Sequence, residues 1–303
     1  PMFHMVSLDQ SISLLSIGGK VVIVDGFDVA QILESVETER QWWLVLMPGM
    51  IDQVIRELRA RTIRPKGIKL IGAMADLVPR AQIAEITQLL QASYANTFGS
   101  TETGIPPMSG GRIPIGEVPT ELSKSQNSLC EFRLVDAEDR DVPDGTPGEL
   151  AFRGPTLFSG YWNAPEVNAK DFRGGWFHMG DMFVRRPDGR LDFVDRAKYL
   201  IKSGGENIYP AEIERVLLAD HRVADAVVVR SRDAKWGEVP VAFVARRDEG
   251  LTADDLVELC RRHLAGYKRP KDIRFVAFDA LPRSTTGKIQ RHEVERWLAQ
   301  EHA

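Results

Sequence analysis

The sequence predicts an α/β fold: part of a parallel sheet covered by helices, then a small β subdomain, then a smaller α+β domain at the C-terminal end. Three changes of pattern carry that prediction. Strand-length apolar runs alternate with helix-spaced apolar residues over residues 1–108. Glycine and proline then break residues 109–195 into short extended pieces, and residues 196–303 return to a mixture of helix and strand.

In the first part, residues 20–24 form an apolar run suited to a buried strand, and Val29, Ile32, Leu33 and Val36 follow at helical spacing. Residues 42–46 read as strand, after which Ile51, Val54, Ile55 and Leu58 share one helical face. Residues 68–71 are strand again. Pro79 then opens a helix that turns Ile83, Ile86 and Leu90 inward, and a short strand follows at residues 93–97. A sheet of this kind binds ligands beyond the carboxyl ends of its strands. Two loops are singled out on that ground: Gly72-Ala73-Met74-Ala75 and Phe98-Gly99-Ser100-Thr101-Glu102.

In the second part, residues 131–135, 149–152 and 191–194 read as short strands, with Asp188-Gly189 as a turn and residues 123–128 as a surface loop. In the third, Pro210 starts a helix with Ile213, Val216 and Leu217 on one face, and strands follow at residues 226–229 and 241–245. Thr252 and Asp255 are spaced as a capping box for the next helix. A strand at residues 273–278, a glycine-containing loop and a final helix complete the unit. The boundary falls within residues 195–199.

The chain has 303 residues, enough for two domains with cores of their own. Its 43% hydrophobic and 27% charged residues are those of an ordinary globular protein. A net charge of −4, from 39 basic and 43 acidic residues, argues against a nucleic-acid partner. No apolar run is long enough to span a bilayer. Cys130 and Cys260 fit neither a disulfide framework nor a zinc motif, which suits a reducing cytoplasm. The opening Pro1-Met2-Phe3-His4 lacks the basic region of a signal peptide and an initiator methionine, as expected of a processed chain or a fragment.

Four segments carry chemistry. Phe98-Gly99-Ser100-Thr101-Glu102-Thr103-Gly104 sets a glycine, hydroxyls and one carboxylate just past a strand end. Such a loop suits a phosphate and Mg²⁺, and equally suits helix capping. Phe172-Arg173-Gly174-Gly175-Trp176-Phe177-His178-Met179-Gly180-Asp181 ends in a carboxylate that could take two hydrogen bonds from a ribose diol, or simply close a turn. Residues 195–210 interleave Arg196, Lys198 and Lys202 with apolar residues, and then Gly204-Gly205 lead into a helix. Arginine, lysine and paired glycines suit close approach to a phosphorylated ligand. Pro282-Arg283-Ser284-Thr285-Thr286-Gly287-Lys288 puts a lysine on a polar loop, from which it can meet charge growing in a transition state.

In this order the four segments resemble the core signatures of the adenylate-forming superfamily: acyl-CoA synthetases, adenylation domains and firefly luciferase. Arg153-Gly154-Pro155, Gly160-Tyr161-Trp162-Asn163, Trp176 and Gly180-Asp181 add to the match, and Pro1-Met2-Phe3-His4 is similar to the acyl-pocket segment of 4-coumarate–CoA-type ligases. The resemblance covers essentially the whole chain. It implies a truncated AMP-binding large domain over residues 1–195 (an α/β part over 1–108, a mostly β part over 109–195) and an α+β lid domain over 196–303. It also implies ATP or AMP, Mg²⁺ and coenzyme A as cofactors, and a small carboxylic acid as substrate.

The resemblance further implies roles by position. Gly72, Ala73, Phe98 and Gly99 would border the adenine, Thr101 would meet a phosphate, and Glu102 would ligate Mg²⁺. Asp181 and Arg196 would hold the ribose hydroxyls. Lys198 would be the hinge, Lys202 would reach the adenylate phosphate, and Gly204 and Gly205 would face the pantetheine. Lys288 would orient the acyl carboxylate and the α-phosphate, while His4, Met74 and Ser100 would line the acid pocket.

Three departures stand out. Met179 replaces the usual threonine, and Ala75 the usual proline. The family's Ser/Thr/Gly-rich phosphate loop with its lysine is absent from these 303 residues, and no Walker-type loop replaces it. The expectation is therefore a sheet with an uncovered face, open to a homo-oligomer, and a chain whose adenylation step is weak while thioester formation from supplied acyl-AMP survives. Two other readings stay open: an adenylation domain loading a carrier protein, and a non-catalytic nucleotide-binding fragment.

Overall fold

A computed structural model describes residues 2, 4–284 and 287–301, with the side chain of residue 301 left aside. Pro1, Phe3, Thr285 and Thr286, all within segments singled out above, lie outside the described residues.

The first region runs α1 (Met5–Ser16), α2 (Val29–Thr38), β1 (Trp43–Leu44), α3 (Pro48–Ala60), β2 (Leu70–Ile71), α4 (Arg80–Leu90) and β3 (Ser93–Tyr94). β1, β2 and β3 pair in parallel, Trp43 with Leu70 and Leu70 with Ser93. The helices bury the stripes their spacing requires: Val29, Leu33 and Val36 on α2, then Ile51, Val54, Ile55 and Leu58 on α3. Ile83, Ile86 and Leu90 on α4 complete the same core around Ile71 and Tyr94. Residues 20–24 form no strand: they have no ladder partner among the described residues, and Ile23 is 68% exposed. An apolar run becomes strand only where a neighbour supplies hydrogen bonds. α1 likewise turns Leu8, Ile12 and Leu15 to solvent, an uncovered apolar face on a helix rather than on the sheet.

The second region contains β4 (Thr97–Phe98), β5 (Met108–Ser109), β6 (Ser125–Gln126), β7 (Glu131–Val135), β8 (Pro147–Arg153), α5 (Pro165–Asp171), β9 (Phe177–Arg185) and β10 (Leu191–Arg196). β4, β5 and β6 make a small antiparallel sheet, while β10-β9-β8-β7 make a larger one. Residues 123–128 are not a plain surface loop. They include β6, and Lys124 is fully buried, its ammonium 2.6 and 2.8 Å from the two oxygens of Asp76. A buried lysine demands such a partner, 48 residues away in sequence and therefore invisible to local pattern.

The third region comprises β11 (Ile201–Ser203), β12 (Glu206–Ile208), α6 (Pro210–Leu217), β13 (Val223–Asp233), β14 (Gly237–Arg246), α7 (Ala253–His263), β15 (Asp272–Val276) and α8 (Arg291–Glu301). β13 and β14 form a long antiparallel ladder, and β15 adds in parallel to β14. α6 and α7 cover one face of this sheet, while Val294 and Leu298 of α8 cover the other. The capping box of α7 forms as expected, Asp255 N–H donating to Thr252 Oγ1 and Thr252 N–H to Asp255. Gly204-Gly205 do not lead straight into a helix. They make the two-residue turn of the β11–β12 hairpin, with φ of +58° and +89° that only glycine adopts freely.

Candidate active site

Two cavities meet between the three regions, of about 320 and 240 Å³. Met74, Gly99, Arg196 and Lys288 border both. The larger is walled by Phe98, Asp181, Phe193, Tyr199 and residues of the third region; the smaller by His4, Trp43, Met47, Ser100, Thr101 and Glu102.

The loop after β4 is shaped by Thr103, whose buried hydroxyl accepts from Ser100 N–H at 3.1 Å and donates to Ser100 C=O at 3.0 Å. A short 3₁₀ turn over Thr101–Thr103 results, ended by Gly104 at φ +68°. Glu102 Oε1 accepts from the Tyr161 hydroxyl at 3.0 Å. Burial alone would raise the Glu102 pKa, but hydrogen bonds from its own amide and from Tyr161, with the charge of Arg196, hold it below the usual carboxylate range. An ionised carboxylate therefore borders the smaller cavity.

Asp181 does not close a turn. It sits inside β9, 3% exposed, across the sheet from Arg196, whose Nε donates to Oδ1 at 3.1 Å. Burial raises its pKa, against the pull of Arg196 and Lys288. Asp195 beside it ties β10 to α6, accepting Arg196 N–H and Ala211 N–H at 2.7 Å each.

Lys288 reaches this centre from a tight loop. Gly287 N–H donates to Ser284 C=O and Ser284 N–H to Lys288 C=O, each at 2.9 Å. Arg283 braces the loop: Nη1 donates to Gly287 C=O at 3.2 Å, Nη2 to Asp225 at 2.5 Å, and the guanidinium lies over the Phe278 ring. From the other side α3 closes in. A Cβ on Gly49 would lie 2.5 Å from the Gly287 carbonyl, and Asp52 of the same helix pairs with Arg247 of the third region. Burial first, then Arg196, lowers the Lys288 pKa, with Asp181 opposing. His4 caps α1, its Nδ1 accepting from Val6 N–H at 3.3 Å, and its pKa is lowered by burial and then by Lys288.

Of the sequence-designated residues, Phe98, Gly99 and Asp181 border the larger cavity, while His4, Ala73, Ser100, Thr101 and Glu102 border the smaller. Gly72 borders neither; it packs at φ +67° against Tyr94, whose ring leaves no room for a Cβ. Lys198, Lys202, Gly204 and Gly205 also lie outside both cavities, exposed on the flank of the third region. Sequence reasoning did not single out Trp43, Met47, Asp76, Arg283 or the Tyr161 hydroxyl. Only Arg283 and Tyr161 carried any signal, each inside a quoted motif.

The family model for AMP-binding enzymes matches residues 1–162, and the model for the C-terminal domain of AMP-binding enzymes matches residues 212–288. An indoleacetate–CoA ligase of Aromatoleum aromaticum is 33% identical over 99% of this chain and 58% of its own length. A feruloyl-CoA synthase of an Amycolatopsis species is 33% identical over 98% and 60%. Among solved structures, O-succinylbenzoate coenzyme A synthetase of Bacillus subtilis, in complex with ATP and magnesium ion, superposes with a TM-score of 0.80 at 27% identity. That match covers 97% of this chain and 60% of the synthetase. The chain thus spans about three fifths of the relatives it matches, and over that span its fold, its motifs and both family models agree: it belongs to the AMP-binding enzymes.

Proposed function

We propose that the chain forms the acyl-AMP-handling portion of an ATP-dependent acid–thiol ligase. The observation that carries this is that Lys288 and Arg196 both border both cavities; on this reading the two cations meet a carboxylate from one side and a phosphate from the other. The smaller cavity takes the acid. Trp43, Met47 and Met74 give it an apolar wall, and the relatives named for indoleacetate and ferulate favour an aromatic acid. The larger takes the nucleotide, with Phe98 beside the base and Asp181 accepting from the ribose hydroxyls.

In the first half-reaction an acid oxygen bonds to the α-phosphorus of ATP and the bond to pyrophosphate breaks. Lys288 faces the negative charge that grows there. In the second, the sulfur of coenzyme A bonds to the acyl carbon, AMP departs with the electron pair, and the thiol proton passes to solvent. No side-chain nucleophile is needed, because the mixed anhydride is already activated. Glu102, an ionised carboxylate bordering the smaller cavity, fits Mg²⁺, which commonly takes one or two carboxylates with substrate phosphates completing its shell. The ion would neutralise phosphate charge. Residues 196–303 act as a lid on residues 1–195, turning about Lys198 so that Lys288 withdraws and the Lys202, Gly204 and Gly205 face replaces it. No described helix is long and apolar enough to cross a membrane. Both cysteines are buried and unpaired, which supports a reducing cytoplasmic setting.

The test supplies the chain with a synthetic arylacyl-AMP and coenzyme A. Thioester and AMP should appear in equal amounts. Binding of AMP without any thioester would overturn the ligase reading.

A further inference from the structure

Asp181 owes its place to an irregularity in the sheet. Between β8 and β9 the ladder pairs Glu149 with Met182 and then Ala151 with His178. One residue of β8, Leu150, therefore faces three of β9: Met179, Gly180 and Asp181. Such bulges redirect side chains beside ligand sites. This one is closed from behind. Glu149 Oε1 accepts the Gly180 N–H at 3.1 Å, while Oε2 accepts from Arg173 Nη2 at 3.0 Å and stands 3.4 Å from His178 Nδ1. Gly180 sits at φ +72°, so its amide is turned out of the ladder and would lack this partner if Glu149 were shortened. Arg173 and His178 also lie 3.3 and 3.4 Å from Asp139, so the Glu149 contacts belong to a wider polar cluster.

We infer that Glu149 is the positioning residue for Asp181, holding the bulge that presents its carboxylate to the ribose; this rests on the ribose reading proposed above. Glu149 borders neither cavity, so it acts through the bulge, chiefly through the Gly180 amide, and not by touching a ligand.

The experiment is calorimetric titration of the chain with AMP and with 2′,3′-dideoxyadenosine monophosphate, which lacks the diol. The unsubstituted chain should prefer AMP by about tenfold or more, as hydrogen bonds to a charged group allow. In Glu149→Ala that preference should fall to within about threefold of unity, with affinity for the dideoxy nucleotide kept. Glu149→Gln keeps the shape and one acceptor but turns an amide toward Arg173 and His178. It should show an intermediate preference, and it carries the test if the alanine variant does not fold. An unchanged preference in the folded variants would overturn the inference, as would equal loss for both nucleotides, the mark of a merely structural role. Equal affinities in the unsubstituted chain would instead sink the ribose reading itself, and this inference with it.

Discussion

The third region shows two quite different faces. The loop carrying Lys288 is enclosed: Arg283 and Asp225 brace it, Gly49 presses on it, and its lysine borders both cavities. The hairpin carrying Lys202 is open to solvent and is tied to β14 and the turn before it by main-chain donors, Gly204 N–H to Trp236 C=O at 2.8 Å and Lys202 N–H to the Glu238 carboxylate at 2.9 Å. The difference teaches that, on the function proposed here, one domain would store two sets of ligand-binding groups while presenting one. The presented face is specified by long-range pairs; the waiting face is specified by its own turn.

Lys288→Ala tests that contrast most severely. Acyl-AMP formation, already expected to be weak without the phosphate loop and followed as pyrophosphate release or in reverse as ATP formation, should fall by a further factor of about 10²–10³, the range for loss of a charge-stabilising group. Thioester formation from supplied acyl-AMP should change less than about tenfold. Equal losses would break the two-face picture. The same lysine gives a pH signature. Its lowered pKa means the ammonium is lost, and adenylation with it, as pH rises through a range below that of ordinary lysine. Lys288→Arg should move this alkaline limb upward, and an unmoved limb would assign it to another group.

A smaller effect is expected beneath both faces. Arg291 holds Glu214 through two bonds of 2.5 and 2.7 Å and lies over the Tyr199 ring; burial pushes the Glu214 carboxyl upward and Arg291 opposes it. Glu214→Ala strands a buried guanidinium and should cost about 3 kcal/mol of unfolding free energy by denaturant titration. It should depress both half-reactions alike, which sharpens the contrast with Lys288. Gly204→Ala forces an L-residue to φ +58° and its Cβ to 2.7 Å from Trp236. It should cost about 1–2 kcal/mol, with the thioester step alone slowed. Asp52→Asn, which loosens a pair at the partly exposed boundary between α3 and the third region, should shift the balance between the half-reactions only severalfold, consistent with about 1 kcal/mol or less.

Much of this was legible locally. The stripes of α2, α3 and α4, the strands β7 and β10 and the capping box of α7 follow from spacing alone, because each is decided by neighbours within a turn or two. Residues 20–24 misled because an apolar run does not reveal whether a partner strand stands beside it. Lys124 misled because its partner, Asp76, lies in another region. Asp181 was read as a ribose ligand or a turn residue, and its setting in a bulge could not be seen: bulges arise from register between strands, not from composition. The exposure of Lys202 was hidden for a similar reason, since the sequence carries the groups but not the orientation of the domain that bears them.

Cys130 and Cys260 are both buried, and burial raises both thiol pKa values, that of Cys260 to about 11. Both thiols should therefore react slowly with maleimides while the chain is folded. A cysteine placed at Lys202, on the open hairpin, would be the one fast-reacting site, so a single fluorophore there could report the lid's orientation without removing either native thiol.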